Sequence, residues 1–202
     1  MAVWRESEPL VLASRSRVRQ LLLANAGLPF ETMPAAIDER SVQRSSGLTT
    51  AGEIAVRLAC EKAREVSSRS PGRYVIGADQ TLECDGHLLN KPADRADAGA
   101  HLRALSGRTH ALHAGVAIMR DGRLLFENVS VARMTMRELS EDVIGVYLDA
   151  AGDAASASVG AYQLEGLGIH LFSRIEGDHF TILGLPLLPL LAYLRSQGLL
   201  SL

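Results

Sequence analysis

Short apolar runs and helical repeats follow one another along the first third of the chain. Residues 9–13, Pro-Leu-Val-Leu-Ala, predict a buried strand, and the helical repeat after it ends at Gly27. Segment 28–48 is punctuated by Pro, Ser and Gly, so we expect loop with one short strand. The best-marked helix begins at Thr50, where the Thr and the Glu three residues later fit a capping box.

The remainder of the chain predicts strands, hairpins and helices in mixed order. An apolar strand at 74–78 ends in Asp79-Gln80, and Asp-Gly pairs predict two hairpins. The other predicted elements are helices at about 93–105, from Ser140 and from Leu187 to Gly198, and strands at 115–119, 124–136, 169–175 and 179–183. This order predicts an α/β fold, with one elongated, mixed, twisted β-sheet flanked by helices. No repeat or linker is visible, so residues 1–202 are expected to form a single domain whose two lobes share a core.

Composition narrows the class of protein. The 202 residues include 47% hydrophobic and 22% charged residues, as in globular proteins, with a net charge of −2. That balance gives no global attraction to nucleic acid or to an anionic membrane. The longest apolar run, 182–194, is interrupted by two prolines and is too short to span a bilayer. With two cysteines, Cys60 and Cys84, and no signal peptide, we expect a cytoplasmic chain with reduced thiols.

Basic residues offer two candidate anion sites. The segment from Ser14 to Arg19 places three arginines and two hydroxyls at a predicted strand-to-helix junction, where backbone N–H groups favour phosphate. The same segment is also compatible with a solvated, arginine-rich helix start. Lys62 falls on the apolar stripe of the capped helix, so it either extends to the edge of the stripe or lines a cleft and meets an anion.

Two carboxylates and a second lysine add to these candidates. Asp79 follows an apolar strand, where sites of α/β proteins lie, and Glu39 in the preceding loop could join it. Their oxygens suit Mg²⁺ or Mn²⁺ together with a phosphorylated substrate, although a single such Asp is as often a turn cap. Lys91, before a proline, is a weak candidate alone. Together these residues are the equipment for binding a triphosphate and a divalent metal.

Seven ordered motifs carry a resemblance to a known family. They are LVLASRSRVRQLLLANAGLPF at the start, IDE, VRLACEKA, VIGADQTLECDGHLLNKP, LRALSGRTH, GAYQLEGLGIHLFSRIEGD and ILGLPLLPLLAYLR. The chain resembles the Maf (septum-formation-inhibitor-like) nucleotide pyrophosphatases over essentially its whole length. The resemblance implies an elongated α/β fold with two lobes around a cleft, similar to inosine triphosphatases and often a homodimer. It also implies hydrolysis of nucleoside triphosphates between the α and β phosphates, with Mg²⁺ or Mn²⁺.

The resemblance also assigns residues. The positions that match the family motifs are Ser14, Arg19, Glu39, Lys62, Asp79 and Lys91. The counterpart of Asp79 is regarded as the proton acceptor, with Lys62, Lys91 and Arg19 as its catalytic partners. Glu39 and Asp79 are the implied metal ligands, and Ser14 and Arg19 contact substrate.

Three further positions bear on the base. Gln80 after the strand, and Glu165 in GAYQLEG, are similar to the 7-methyl-GTP branch. A carboxylate can accept both adjacent donors of guanine and suits a positively charged methylated ring. The resemblance therefore implies 7-methyl-GTP as the preferred substrate. The alternative is dTTP, UTP or a broad set of nucleotides, because that branch usually has Trp at the position of Val18.

Two functions other than nucleotide pyrophosphatase are also compatible with the sequence. One is a non-enzymatic regulator of cell division. The second is a phosphatase that removes only the γ phosphate of a nucleotide. Near-neutral net charge and the lack of aromatic residues between the basic ones argue against a nucleic-acid-binding protein.

Overall fold

A seven-stranded mixed sheet with helices on its faces forms the core of the protein, as a computed structural model that describes residues 3–202 shows. The strands are β1 Leu10–Leu12, β2 Phe30–Thr32, β3 Val75–Cys84, β4 His87–Leu89, β5 Thr109–Arg120, β6 Arg123–Met136 and β7 Phe172–Glu176. The helices are α1 Arg17–Asn25, α2 Glu39–Ser46, α3 Ala51–Ser67, α4 Arg95–Leu105, α5 Glu141–Ala151, α6 Ala154–Ala157, α7 His179–Ile182 and α8 Leu187–Ser196.

The sheet is mixed because its first strands and its later strands pair differently. The order is β2-β1-β3-β5-β6-β7, with β4 paired to β3 beside this path. β1 is parallel to β2 and to β3, whereas the other pairs are antiparallel. Asp85 and Asp121 have positive φ, as the two predicted Asp-Gly hairpins require. The predicted α/β class, a mixed sheet flanked by helices, is therefore confirmed.

Helix α3 lies directly against the sheet because two glycines allow it. A Cβ on Gly77 of β3 would overlap the Ala59 carbonyl oxygen of α3, and one on Gly115 of β5 would overlap the Ala55 carbonyl. Both glycines have ordinary negative-φ strand conformations, so the missing side chain, not backbone freedom, is what this packing needs. The close approach brings the middle of α3 onto β3 at the level of Gly77 and the residues after it.

Apolar side chains form three buried clusters around the sheet. One cluster lies under α4 and α5, a second packs α1 and α8 on the sheet, and the third joins α3 to β1 and β3. The first contains Leu82 from the C-terminal half of β3, and the second contains Ile76 from its N-terminal half. Strand β3 therefore runs from one end of the core to the other.

Three predicted elements differ from the observed ones. Segment 28–48 contains helix α2 as well as the expected short strand. The strand predicted to end at residue 78 continues to Cys84, so Asp79 lies within β3 and not beyond its end. Residues 179–182 form a short helix, capped by the Asp178 carboxylate, in place of a strand. Each departure reflects burial or capping that a local apolar pattern does not report.

The described part of the chain contains no membrane-spanning helix, and its two cysteines form no disulfide. None of the helices between residues 3 and 202 is long and apolar enough to cross a bilayer. Cys60 and Cys84 are both buried and free. Burial raises the pKa of the Cys60 thiol to about 12, and its hydrogen bond to Glu127 acts in the same direction, which favours the protonated thiol.

Candidate active site

A cleft of about 1010 Å³ opens where α2, α3, β3 and the loop after β1 meet. The remaining walls come from the β4 region and from residues 157–165. All the residues proposed from sequence line it: Ser14, Val18, Arg19, Glu39, Lys62, Asp79, Gln80, Lys91 and Glu165. The structure therefore brings the predicted set together in one cleft.

An ammonium group between two carboxylates lies at the centre of the cleft. Lys62 Nζ is 2.5 Å from Asp79 Oδ1 and 2.7 Å from Glu39 Oε1. Lys62 and Asp79 are buried, whereas half of the Glu39 side chain is exposed. An ammonium has three N–H donors, so one remains for a ligand in the cleft.

Local sequence explains how Lys62 reaches this position. The Thr50 hydroxyl accepts from the Glu53 backbone N–H, which fixes the start of α3. Leu58 and Val66 on the same stripe are buried against the sheet. Lys62 therefore points inward with them, and it meets carboxylates instead of extending along the surface to solvent.

Arg19 is held by the protein itself. Its Nε donates to the Gly184 carbonyl at 2.7 Å, and its Nη1 donates to the Ala78 carbonyl at 2.8 Å and to Ser14 Oγ at 3.3 Å. Burial lowers the pKa of this guanidinium, while Asp79 and Glu39 oppose the shift. Arg19 thus ties α1 to β3 and to the turn that follows α7.

Burial and neighbouring charges act on the Asp79 carboxyl in opposite directions. Burial raises the pKa of its carboxyl above the ordinary range, while Lys62 and Arg19 act in the opposite direction and Glu39 adds to the rise. A carboxylate with a raised pKa is a better base, and strongly perturbed groups in clefts are candidates for catalysis.

The other predicted residues differ in how firmly they are held. The Gln80 amide donates to the carbonyls of Thr181 and Ile182 at 3.0 Å, so it fixes the segment that precedes α8. Lys91 is exposed beside the β4 region, and Glu165 is exposed on the wall formed by residues 157–165. Val18 is half-buried in the first turn of α1.

Glu39 and Asp79 form a small set of oxygen donors in the cleft. Within residues 3–202 there is no group of three or more His, Cys, Asp and Glu side chains able to hold an ion. Glu39 and Asp79 nevertheless lie close together, because both contact Lys62 Nζ. Mg²⁺ is commonly bound through one or two carboxylates plus substrate phosphates, so these two carboxylates are suitable ligands. The residues present therefore fit a metal that the nucleotide helps to hold.

The wall that carries Glu165 is supported by buried polar side chains that the sequence did not predict. His110 Nε2 and the Tyr162 hydroxyl are 2.6 Å apart, and burial lowers the pKa of His110 to about 4. Tyr147 donates to the Ala161 carbonyl from the other side. The position of His110 in an apolar strand predicts that the side chain is buried. It does not predict that Tyr162 is its hydrogen-bond partner. Arg40 also lines the cleft. It was not predicted because helix α2, which carries it, was not predicted.

Comparison with known sequences decides the family. A model of the family described as "Maf-like protein" matches residues 9–197. The chain belongs to the Maf family. Two relatives named "Nucleoside triphosphate pyrophosphatase" align over the full length of both chains, from Nitrobacter winogradskyi at 93% identity and Nitrobacter hamburgensis at 80%.

One relative at lower identity carries a more specific name. A Rhizobium etli protein named "7-methyl-GTP pyrophosphatase" is 52% identical over 94% of this Maf chain and 96% of its own length. Among solved structures, a dITP/XTP pyrophosphatase from Mycobacterium abscessus aligns with a TM-score of 0.43 at 15% identity, covering 94% of this chain and 95% of that one.

Proposed function

We propose that the protein is a nucleoside triphosphate pyrophosphatase, which hydrolyses its substrate to the monophosphate and pyrophosphate. The observation that carries the proposal is the buried Lys62–Asp79 pair in a cleft lined by further basic residues. The relatives of the same length that carry this name support it.

In the proposed reaction, Asp79 accepts a proton from the water that attacks the α phosphorus. Its raised pKa suits this role, and its contact with Lys62 fixes the orientation of the carboxylate. The free N–H of Lys62, together with Lys91 and the Ser14 hydroxyl, donates to phosphate oxygens. The bond between the α phosphorus and the bridging oxygen breaks, and pyrophosphate leaves.

A divalent metal is part of the proposal. Glu39 and Asp79 would hold Mg²⁺ or Mn²⁺ together with the phosphates, and the ion would neutralise charge that develops on the leaving group. Glu39 is half-exposed at the first turn of α2, so it is accessible to a metal that enters with the nucleotide.

For the base we propose guanine, with 7-methyl-GTP as the preferred substrate and dTTP, UTP or a broad set as the alternative. Glu165 is exposed in the cleft and makes no hydrogen bond or ion pair with residues 3–202, so its carboxylate is available for the two donors of guanine. The Rhizobium etli relative supports this choice. Gln80 would affect base binding indirectly. Its amide nitrogen donates hydrogen bonds to the carbonyls of Thr181 and Ile182, so it positions the segment before α8.

A nucleotide panel tests the base preference. Pyrophosphate release is measured with 7-methyl-GTP, GTP, UTP and dTTP, for the wild type and Glu165→Gln. We expect the variant to lose guanine substrates relative to UTP by about tenfold or more, since a charged acceptor is replaced by an amide. Glu138→Gln, in a loop outside the cleft, is the control. An unchanged order of preference would contradict guanine recognition by Glu165.

Product analysis separates the pyrophosphatase from the two different activities. A phosphatase acting on the γ phosphate would release the diphosphate and phosphate, and a non-enzymatic regulator of cell division would release neither.

The protein is also proposed to act in the cytoplasm as a homodimer, and sedimentation of the purified protein tests its oligomeric state directly.

A further inference from the structure

Charge in the interior of the cleft is balanced, although the proposed substrate is a polyanion. Four titratable side chains meet at the centre of the cleft: the basic Arg19 and Lys62, and the acidic Asp79 and Glu39. Their formal charges cancel. The guanidinium of Arg19 is further occupied by the carbonyls of Ala78 and Gly184. The negative charge of a triphosphate is therefore left to the proposed metal and to cationic side chains outside this interior.

Three arginines at the mouth of the cleft are available for that purpose. Arg15, Arg17 and Arg40 all line the cleft and are exposed. Their side chains make no hydrogen bond or ion pair with any of residues 3–202. Other surface arginines form ion pairs with acidic side chains, as Arg57 does with Glu61. Unpaired guanidiniums beside a cleft are the residues best suited to grip phosphate bidentately.

The position of these arginines along β3 gives the cleft a direction. Arg15 and Arg17 follow β1, which pairs with β3 at Val75 and Ile76. The wall that carries Glu165 packs instead on Leu82, further along β3. Because β1 and β3 are parallel and Leu12 lies opposite Ile76, the segment after β1 continues to about the level of Asp79, and the wall lies beyond that level. The arginines therefore lie on the same side of the cleft as Asp79, and the carboxylate proposed to bind the base lies further along β3.

We propose that Arg15, Arg17 and Arg40 form a separate subsite for the two phosphates that leave as pyrophosphate. The inference rests on the proposed function, since it places the α phosphorus beside Asp79 and the base beside Glu165. Arg40 is the residue after Glu39 in α2, so the same helix supplies one metal ligand and one arginine of the subsite. The Ser16 side chain caps α1 and leaves the arginine side chains free.

Calorimetric titration of the intact protein with inorganic pyrophosphate tests the subsite. Because the three side chains are exposed, Arg15→Ala, Arg17→Ala and Arg40→Ala are expected to fold as the parent does. Each should weaken pyrophosphate binding by about tenfold or more, the range for a charged hydrogen bond, and should leave binding of guanosine monophosphate almost unchanged. Glu165→Gln should do the reverse. Arg44→Ala, one turn along α2 and outside the cleft, should change neither.

Three results would overturn the inference. Arginine variants that bind pyrophosphate as tightly as the wild type would show that the mouth is not the subsite. Equal losses for pyrophosphate and for the monophosphate would show a general electrostatic effect without a separate site. Release of pyrophosphate by the wild type in either case would leave the proposed function standing. A wild type that neither binds nor releases pyrophosphate would overturn both.

Discussion

Replacement of Lys62 by Met probes the energetics of the cleft directly. Asp79 is buried and Lys62 is the only cation that forms an ion pair with it among residues 3–202, so Lys62→Met leaves a buried carboxylate without its partner. Breaking a buried pair in this way costs about 3 to 5 kcal/mol. Asp79→Asn is a milder change, because Lys62 keeps Glu39 at 2.7 Å and because Asn is uncharged. We expect that variant to lose about 1 kcal/mol.

The pH dependence of the penalty gives a second criterion. Burial already raises the pKa of Asp79, and loss of Lys62 raises it further, because an opposing cation is removed. A carboxyl whose pKa is higher in the folded state than in the unfolded state destabilises the fold as the pH rises above the unfolded pKa. The penalty for Lys62→Met should therefore be larger near about pH 8 than near about pH 5.

Urea unfolding followed by the fluorescence of the buried Trp4 measures these differences. The double variant Lys62→Met, Asp79→Asn should be more stable than Lys62→Met alone near about pH 8, since no buried charge remains. Two results would refute the reasoning: a loss below about 1 kcal/mol for Lys62→Met at both pH values, or a larger loss for Asp79→Asn than for Lys62→Met.

Two further variants test the packing and the buried histidine. Gly77→Ala should lose about 1 to 3 kcal/mol in urea unfolding and slow pyrophosphate release, because a Cβ would push α3 from the sheet; Gly145→Ala, with open space around it, should be neutral or stabilising. Burial lowers the pKa of His110 to about 4, so the stability it contributes is present above about pH 6.5 and lost, up to about 3 kcal/mol, as the pH falls through the folded pKa. His110→Gln should flatten this acid limb, whereas replacement of the exposed His87 should not; equal limbs in both variants would contradict the assignment.

Capped helices and Asp-Gly hairpins were predictable because local chemistry determines them. Thr50 and Ser140 cap α3 and α5 as their sequence predicts. Helix α2 was not predictable from periodicity, since it buries no side chain and is defined by the Asp38 cap and by Gly47 at its end. Such a helix has no apolar repeat along its sequence. Its only local signals are the capping residues at its two ends.

The interior of the site depended on long-range packing. Asp79 lies within a buried strand because α3 covers it with Lys62, and a polar pair after an apolar run instead suggested a strand end. The partners of Arg19 are carbonyls distant in sequence, which no motif specifies. Motifs therefore predicted which residues meet in the cleft, whereas only the structure shows which of them are occupied and which are free.

Asp79→Asn with the preferred nucleotide tests the proposed proton acceptor. We expect pyrophosphate release to fall by about 10²- to 10⁴-fold while the protein still folds, because the base is lost and the amide keeps the shape of the carboxylate. Asp153→Asn, outside the cleft, serves as the control. Near-normal release by Asp79→Asn would contradict the role.

Hydrolysis in water enriched in heavy oxygen tests the central claim most directly. If water activated at Asp79 attacks the α phosphorus, mass spectrometry should find the heavy oxygen in the nucleoside monophosphate and none in the pyrophosphate. Heavy oxygen in the pyrophosphate, or a nucleoside diphosphate as product, would contradict the account.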